Sequence, residues 1–302
     1  MKKILITGHK GFVGRHFIKY INHKFKNSVI TGSDIKDGIE QDCRNLFRKD
    51  ETKYDLVIHL AAIVGGRDTI ENDPLAVATD LSIDSEMFNW AVRTGQKNIV
   101  YFSSSAAYPI SLQNMQDKHK LLESDIDLTD IKTPDYSYGW SKLTGEMLAD
   151  YAIKNYGLNV NIFRPFSGFG FDQDLNYPFP SFLNRVLNKV DTFEMWGDGT
   201  QVRDFIYIDD IVQAVFSTIE CDIRQPVNLG TGRAIDFNQL ANIMFDIYKF
   251  KPSNGIRYLL DKPKGVMYRC SDSSLLHSYY KPKKTIEEIL EEHYKTKIIM
   301  DL

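Results

Sequence analysis

The sequence predicts an α/β fold: a doubly wound parallel sheet with helices on both faces, followed by a smaller C-terminal lobe. In the first half of the 302-residue chain, short apolar runs of strand length alternate with longer stretches of helical periodicity. Polar residues rarely interrupt the apolar runs, which is typical of parallel strands that are buried on both faces. A glycine-rich turn follows the first run directly, at the junction where sheets of this class begin their first helix.

Each predicted element follows from its local pattern. Strands are predicted over residues 2–7, 29–33, 56–62, 98–102 and 160–163, and helices near residues 81–93 and 141–155. Residues 226–232 are predicted as a strand and turn that lead into the smaller lobe. Thr285 and Glu288 have the spacing of a capping box, which predicts a closing amphipathic helix. The polar residues 110–134 are predicted as a long loop that crosses the surface near the cleft.

Composition and charge exclude several classes of protein. The chain is 43% hydrophobic and 25% charged, with 37 basic and 40 acidic residues and a net charge of −3. Since these charges are mixed along the chain, we expect no nucleic-acid partner. No apolar run is long enough to span a bilayer and the first residues are already a strand, so we expect neither a membrane partner nor a signal peptide. Three widely spaced cysteines favour a reducing cytoplasm, with no disulfide framework and no metal site.

The glycine-rich turn is Gly8-x-x-Gly11-x-x-Gly14. Free N–H groups at a helix N-terminus, together with the helix dipole, attract an anion such as a phosphate. Gly8 allows the tight turn, Gly11 lets a pyrophosphate approach the backbone, and Gly14 lets the helix pack closely on the strand. Three glycines alone are a weak signal, and their spacing differs from the common G-x-G-x-x-G. Their position directly after the first predicted strand strengthens the prediction of a phosphate site.

An acidic residue follows the second predicted strand. Asp34 lies about twenty residues beyond the last glycine, where a carboxylate meets the adenosine ribose hydroxyls of NAD in sheets of this class. A carboxylate at this position would repel a 2′-phosphate, so the sequence favours NAD over NADP. The alternative interpretation is a polar residue that begins an ordinary loop.

Small or polar residues follow the next strand ends, which is where ligands bind in parallel sheets. Asp42 is a candidate for contact with the adenine amino group, although a loop aspartate without that role is the simpler interpretation. Residues 59–62 continue into a stretch of small residues against which a cofactor can lie. Three serines, residues 103–105, follow the fourth predicted strand.

Tyr138 and Lys142 open a predicted helix and, four residues apart, lie on one helical face. An ammonium near a phenol favours the phenolate, so Lys142 is expected to lower the pKa of Tyr138 from about 10 toward neutrality and make it a usable acid/base. Such pairs also occur by chance, with the lysine stem packed on the ring. The pair gains weight because it follows the glycine turn, the acidic strand end and the serine strand end in that order.

With these residues in place, the chain resembles the extended short-chain dehydrogenase/reductases, which include nucleotide-sugar epimerases and dehydratases. The resemblance covers nearly the whole chain and implies a Rossmann-type fold. It implies that Tyr138 is the catalytic acid/base, that Lys142 holds the nicotinamide ribose, and that Ser104 hydrogen-bonds the reacting sugar oxygen. The residues it assigns to the cofactor NAD are Gly8, Gly11, Phe12, Val13, Gly14, Asp34, Asp42, Cys43, Leu60, Ala61, Ala62, Tyr138, Lys142 and Phe166.

The resemblance also assigns a substrate, a nucleotide-diphosphate sugar. Arg203 matches an arginine that binds the diphosphate, and Arg269 matches a second one; a surface salt bridge is the alternative for each. Ser104 and Ser105 complete the expected substrate-binding residues. The implied division is an NAD-binding domain and a nucleotide-sugar-binding lobe. The former comprises residues 1–165 with about 205–225, and the latter about 166–204 with 226–302.

The reaction is narrowed mainly by residues that this chain does not have. Dehydratases of the family carry an Asp-Glu pair where this chain has Ser105 and Ala106. GDP-mannose 3,5-epimerases and GDP-fucose synthases share residues 64–66 and 108–109 with this chain. Those enzymes have a cysteine where Ala106 stands, and the fucose synthases have a histidine where Tyr177 falls. The groups that exchange protons at C3 and C5 are therefore expected to be missing.

The remaining chemistry is reversible oxidation at one sugar carbon, which predicts an epimerase that inverts C4, as in UDP-glucose 4-epimerases. The alternatives are an NAD(P)-dependent ketosugar reductase, a decarboxylase or dehydratase on the same scaffold, and a non-catalytic NAD-binding regulator. A homodimer through the two helices that flank the active site is also expected. Apolar residues compatible with that interface, or with ordinary core packing, are Leu143, Met147, Leu148 and Tyr151.

Overall fold

The computed structural model describes residues 2–64 and 67–300. Its strands are β1 (Lys3–Thr7), β2 (Val29–Ser33), β3 (Leu56–His59), β4 (Asn98–Phe102), β5 (Lys120–Leu121), β6 (Asn159–Pro165), β7 (Ser167–Phe169), β8 (Phe193–Trp196), β9 (Val202–Arg203), β10 (Phe205–Tyr207), β11 (Val227–Leu229), β12 (Ile235–Asp236), β13 (Ile256–Leu259) and β14 (Tyr268–Ser271). Its helices are α1 (Phe12–Lys24), α2 (Cys43–Lys49), α3 (Arg67–Asn72), α4 (Pro74–Val77), α5 (Thr79–Thr94), α6 (Tyr136–Tyr156), α7 (Pro178–Leu187), α8 (Ile208–Glu220), α9 (Phe237–Tyr248), α10 (Ser274–His277) and α11 (Ile286–Met300).

The predicted doubly wound sheet is confirmed. Six strands are ordered β11-β6-β4-β3-β1-β2, and every neighbouring pair is parallel. The chain runs outward from β1 to β2 on one side and from β3 to β11 on the other, so the order reverses between β1 and β3. Ligands bind at the carboxyl ends of the strands beside such a reversal. The glycine turn follows β1 and therefore lies at this position.

Apolar side chains cover both faces of the sheet. One face packs against α1 and α8 through residues such as Phe17, Ile211 and Val215. The other face packs against α5 and α6, where Met87 and Ala149 are fully buried. Because both faces are covered, the strands need uninterrupted apolar runs, which is the pattern that identified them in the sequence.

The smaller lobe has an apolar core of its own. Phe182, Phe193, Leu240 and Leu290 are buried in it, and they come from α7, β8, α9 and the predicted closing helix α11. The lobe boundary expected at about residue 226 needs correction, because β11 is hydrogen-bonded to β6 in the six-stranded sheet. The strand that the sequence predicted to lead into the lobe is thus the outer strand of the large sheet.

Residues 110–134 also differ from the predicted surface loop. Within them, β5 pairs with β14 in a four-stranded sheet, and Leu121 is fully buried. A two-residue strand gives no periodicity in the sequence, so only its partner, 150 residues later, defines it. In the described part of the chain, no helix is long and apolar enough to cross a membrane.

Candidate functional site

The glycine turn has the close contacts that its sequence predicts. Gly8 has a positive φ of 69°, and its N–H donates to the Ser33 carbonyl at 2.8 Å. A Cβ on Gly8 would lie 2.9 Å from the Ala61 nitrogen, and a Cβ on Gly14 would lie 2.4 Å from the Gly8 carbonyl oxygen. The backbone at Gly11 begins α1 without a side-chain cap, so N–H groups of the first turn remain available to an anion. These features form a cradle that fits a pyrophosphate.

The contact of Gly14 with the turn gives a direct test of the cradle. We expect Gly14→Ala to weaken NAD binding at least about tenfold, about 1.4 kcal/mol, because the new methyl group displaces the Gly8 carbonyl. Isothermal titration calorimetry measures the affinity. Gly157→Ala is the control, since no atom of the described residues lies within 4 Å of its Cβ position. Its positive φ of 66° makes it destabilising without altering NAD affinity. Equal NAD affinities of the two variants would contradict the assignment of the cradle.

Asp34 lies at the end of β2 and faces back toward the glycine turn. Its side chain is 8% exposed; Oδ2 accepts the Lys10 N–H at 2.9 Å, and Oδ1 accepts the Lys36 N–H at 2.9 Å. These bonds fix the carboxylate beside the turn and leave one acceptor position on each oxygen for a ribose hydroxyl. This geometry is compatible with the predicted ribose contact.

Asp42 and Cys43 begin α2 beside a pocket of about 300 Å³ that is also lined by Ser33 and Leu46. The Asp42 carboxylate accepts the Arg44 N–H and forms a salt bridge with its guanidinium at 2.6 Å. That hydrogen bonding lowers the pKa of Asp42. Cys43 is 4% exposed, and burial raises the pKa of its thiol to about 12. The Cys43 thiol is therefore a core group, whereas Asp42, the residue predicted to contact adenine, lines the pocket.

The turn after β3 is tied to β1. The Thr7 hydroxyl accepts the N–H groups of Leu60 and Ala61, both at 3.2 Å, and interacts with His59 Nδ1 at 2.8 Å. Residues 60–62, which we predicted as strand, leave the sheet here because β3 ends at His59. They are partly buried next to the glycine turn, so the structure brings Leu60, Ala61 and Ala62 to the same edge as Gly8.

The first turn of α6 packs directly on the serine turn after β4. The Asp135 N–H donates to the Ala106 carbonyl at 3.0 Å, and a Cβ on Gly139 would lie 2.4 Å from the same oxygen. Ser104 accepts the Ala106 N–H at 3.1 Å, and its hydroxyl is near enough to the Tyr138 phenol to act to lower the pKa of that phenol. The close packing at Gly139 therefore brings together two predicted catalytic side chains from segments far apart in the chain.

Lys142 lies one turn beyond Tyr138 and is 3% exposed. Its Nζ is 5.9 Å from the centroid of the Tyr138 ring and 4.0 Å from Asp80 Oδ2. Although burial opposes it, the carboxylates of Asp84 and Asp80 raise the pKa of Lys142. Lys142 is therefore held as a cation beside the phenol.

The expected lowering of the Tyr138 pKa needs correction. Burial raises the pKa of Tyr138 above its ordinary value; Lys142 lowers it, and Asp80 raises it. The helix-face spacing of Tyr138 and Lys142 shows neither the burial of the phenol nor the carboxylates of α5 that lie behind the lysine. Lys142 thus acts against burial, and their net effect leaves the phenol protonated at neutral pH.

The other residues around the serine turn are buried. Ser105 and Ala106 are 5% and 3% exposed, and Phe166, expected to flank the nicotinamide, is 8% exposed with its ring 6.2 Å from that of Tyr108. Tyr177 lies within electrostatic range of Tyr138, and burial raises the pKa of its phenol. Tyr177 is therefore a neutral group near the predicted acid/base.

Three arginines converge at the mouth of the smaller lobe. Arg203 donates to the Val266 carbonyl at 2.9 Å, whereas Arg269 donates to Asp135 Oδ2 at 2.7 Å. Arg67 binds the same carboxylate, at 2.8 and 3.0 Å. Burial and the neighbouring Arg269 lower the pKa of Arg203 to about 9. This excess of positive charge fits a diphosphate, for which the planar guanidinium is well suited.

Arg203 and Arg269 were predicted from the sequence, whereas Arg67, Asp135 and Asp80 were not. Residues 65–66, part of the 64–66 stretch noted in the sequence, lie outside the described residues, and Arg67 directly follows them. Its position after the third strand end was the available signal, since ligands bind at that edge. Asp135 and Asp80 gave no signal, because their significance comes from partners distant in the chain.

Comparison with known proteins identifies the family of the chain. Residues 4–230 match the model of the "NAD dependent epimerase/dehydratase family". GDP-mannose 3,5-epimerase 1 from Oryza sativa subsp. indica is 30% identical over 295 residues, which cover 91% of this chain and 75% of that protein. GDP-L-fucose synthase 1 from Arabidopsis thaliana is 25% identical, covering 97% of this chain and 92% of that protein.

A crystal structure of UDP-glucose 4-epimerase from Thermotoga maritima has the same fold, with a TM-score of 0.80 at 22% identity; the match covers 98% of this chain and 99% of that chain. The protein is an enzyme with an NAD-type Rossmann fold. It belongs to the NAD-dependent epimerase/dehydratase family.

Proposed function

We propose that this enzyme is a nucleotide-sugar epimerase that inverts C4 through a transient 4-keto sugar. The observation that carries the proposal is the composition of the reacting pocket: Ser104, Tyr138 and Lys142 meet there, while the adjacent side chains of Ser105 and Ala106 do not titrate. Tyr177, nearby, is kept neutral by burial. These side chains are suited to the oxidation of a sugar hydroxyl, and none of them can act as a base that removes a proton from C3 or C5 of the sugar.

In this mechanism, the small fraction of Tyr138 that is ionised accepts the proton of the C4 hydroxyl, and the Ser104 hydroxyl donates a hydrogen bond to the same oxygen. NAD, held along the glycine turn by residues such as Gly8, Gly14 and Asp34, would supply the hydride chemistry at C4. Lys142 stabilises the phenolate by its charge. After the keto sugar has rotated in the cleft, Tyr138 returns the proton to the C4 oxygen. The same three side chains serve both half-reactions.

The arginine cluster supports a nucleotide-diphosphate sugar as the substrate. Arg203 and Arg269 would bind the diphosphate, and Arg67 adds a third cation. Since the diphosphate is held at a distance from the reacting carbon, the sugar can rotate while the nucleotide stays bound. The curated relatives include GDP-sugar enzymes, so GDP-sugars are the first candidates, followed by UDP-sugars.

The test is to incubate the purified protein with GDP-, UDP- and CDP-hexoses and to follow the H4 coupling constants by NMR. We expect one class of sugar to show C4 inversion without net consumption of NADH. Arg203→Met should raise the KM about tenfold or more while C4 inversion persists at saturation. If no hexose is inverted and a 4-keto sugar is reduced with net consumption of NADH, the enzyme is a reductase and the proposal is wrong.

We also propose that residues 1–165 and about 205–229 bind NAD, that the remaining residues bind the nucleotide sugar, and that the enzyme acts in a reducing cytoplasm.

A homodimer is proposed through the outer faces of α5 and α6, where Leu81, Trp140 and Tyr151 are at least 40% exposed. Two of the four residues named for that interface face inward, because Leu143 is buried and Leu148 packs against the core. Sedimentation of a Trp140→Glu, Tyr151→Glu variant tests the dimer.

A further inference from the structure

Asp80 is a buried carboxylate with one unsatisfied oxygen. It lies in the first turn of α5 and is 0% exposed. Oδ1 accepts the Ile63 N–H at 2.6 Å, whereas Oδ2 has no hydrogen-bond partner among the described residues and faces Lys142 Nζ at 4.0 Å. Leaving a carboxylate oxygen buried in this way is costly. The burial of the Asp80 carboxylate is therefore best explained by its interaction with Lys142, the cation that it faces.

Asp84, one turn further along α5, differs in its bonding. Its Oδ2 accepts the Tyr101 hydroxyl proton at 2.5 Å, and its Oδ1 is 3.1 Å from His59 Nε2. These bonds fix Asp84 inside a network between β3, β4 and α5. In the described part of the chain, Asp80 Oδ2 belongs to no such network, so the charge of Asp80 acts mainly on the Lys142 ammonium 4.0 Å away.

We propose that Asp80 is a positioning residue that anchors the Lys142 ammonium behind Tyr138 and offsets part of the charge that Lys142 presents to the phenol. The proposal rests on the proposed role of Tyr138 as the acid/base. It adds a residue, from a different helix, that determines at which pH the phenol becomes a base. The titratable and charged groups that face this assembly are Asp80 and Asp84 of α5, Tyr138, Lys142 and Glu146 of α6, Tyr101 of β4, His59 of β3, Arg269 of β14, and Tyr177.

The charge of Asp80 makes the expected effect depend on pH. Burial raises the pKa of Asp80 to about 6, with Lys142 opposing the rise. Above that pH, the ionised Asp80 raises the pKa of Tyr138 and reduces the phenolate fraction. Below it, Asp80 is neutral and has no such effect. Asp80→Asn keeps the shape and the Oδ1 acceptor but removes the charge, so it mimics the protonated residue at every pH.

The experiment is the pH dependence of kcat for Asp80→Asn and for the natural enzyme, with NAD bound. We expect the acid limb to move to lower pH by about 0.5–1 unit, which is about a 3- to 10-fold higher kcat at pH 7, with the two profiles converging below pH 6. KM should change little. A loss of kcat by the same factor at all pH values, or a limb moved to higher pH, overturns the proposal. Asp150→Asn is the control: Asp150 lies on α6 and pairs with Lys154, and its profile should match that of the natural enzyme.

A second measurement needs neither substrate nor turnover. Tyrosine labelled with ¹³C at Cζ reports the ionisation of the Tyr138 phenol by NMR, and Tyr138→Phe assigns the signal. We expect the signal to titrate at lower pH in Asp80→Asn, and in the natural protein to show a small inflection near pH 6 as Asp80 ionises. If the natural protein shows no inflection, the proposal is wrong even where the variant does not fold. Because no sugar is added, this result is independent of whether C4 inversion is found.

Discussion

Replacing Tyr138 with Phe is expected to reduce turnover of the nucleotide sugar by about 10²- to 10⁴-fold while NAD binding is kept. In the proposed mechanism the Tyr138 hydroxyl exchanges a proton with the sugar, and phenylalanine has no group that can do so. The ring itself is retained, so the start of α6 should keep its packing on the serine turn. Coupled assay of product formation gives kcat, and calorimetry gives the NAD affinity.

The matched control for this prediction lies on the same helix. Tyr151 is 51% exposed, and Tyr151→Phe removes a phenol hydroxyl without touching the site. Its kcat should stay within about twofold of that of the natural enzyme. If kcat is unchanged in Tyr138→Phe, Tyr138 is not the acid/base. The NAD-binding protein would then use another catalytic group.

Arg164→Met is expected to lower the free energy of unfolding by about 3–5 kcal/mol, because it leaves the buried carboxylate of Glu146 without a counter-charge. The two side chains are 2% and 1% exposed and form a bidentate pair at 2.9 and 2.7 Å. Arg164 Nη1 also donates to the Tyr108 hydroxyl at 3.0 Å and the Glu123 carbonyl at 2.7 Å. Urea denaturation followed by circular dichroism measures the change.

A surface pair provides the comparison. Arg257 and Glu194 form an ion pair in which the side chains are 63% and 38% exposed, so Arg257→Met should cost less than about 1 kcal/mol. Removing both members of the buried pair, with Arg164→Met and Glu146→Leu, should recover part of the loss, because no buried charge then remains uncompensated. Similar losses for Arg164→Met and Arg257→Met would show that burial does not determine the effect.

Local patterns were enough to predict the parts of the site that depend on neighbouring residues. The glycine turn, the strand ends and the Tyr138–Lys142 spacing each occupy a few consecutive residues, and the structure places them at one edge of the sheet. Asp80 and Asp135 could not be predicted, since their ion-pair partners lie between 62 and 134 residues away. For Arg67, the position after a strand end was the one available signal. The direction expected for the Tyr138 pKa was wrong because the helix face shows the lysine but neither the burial of the phenol nor the carboxylates of a second helix.

The Ala106 carbonyl joins the serine turn to the helix that carries the acid/base. It accepts the Asp135 N–H and lies against Gly139, so the Ser104 hydroxyl and the Tyr138 phenol are held together by one close backbone contact. In the proposed C4 inversion, a contact of this kind would hold Ser104 and Tyr138 in place through both half-reactions. The second face of the sugar would then be exposed by rotation of the bound nucleotide sugar about its phosphates, without movement of the catalytic pair.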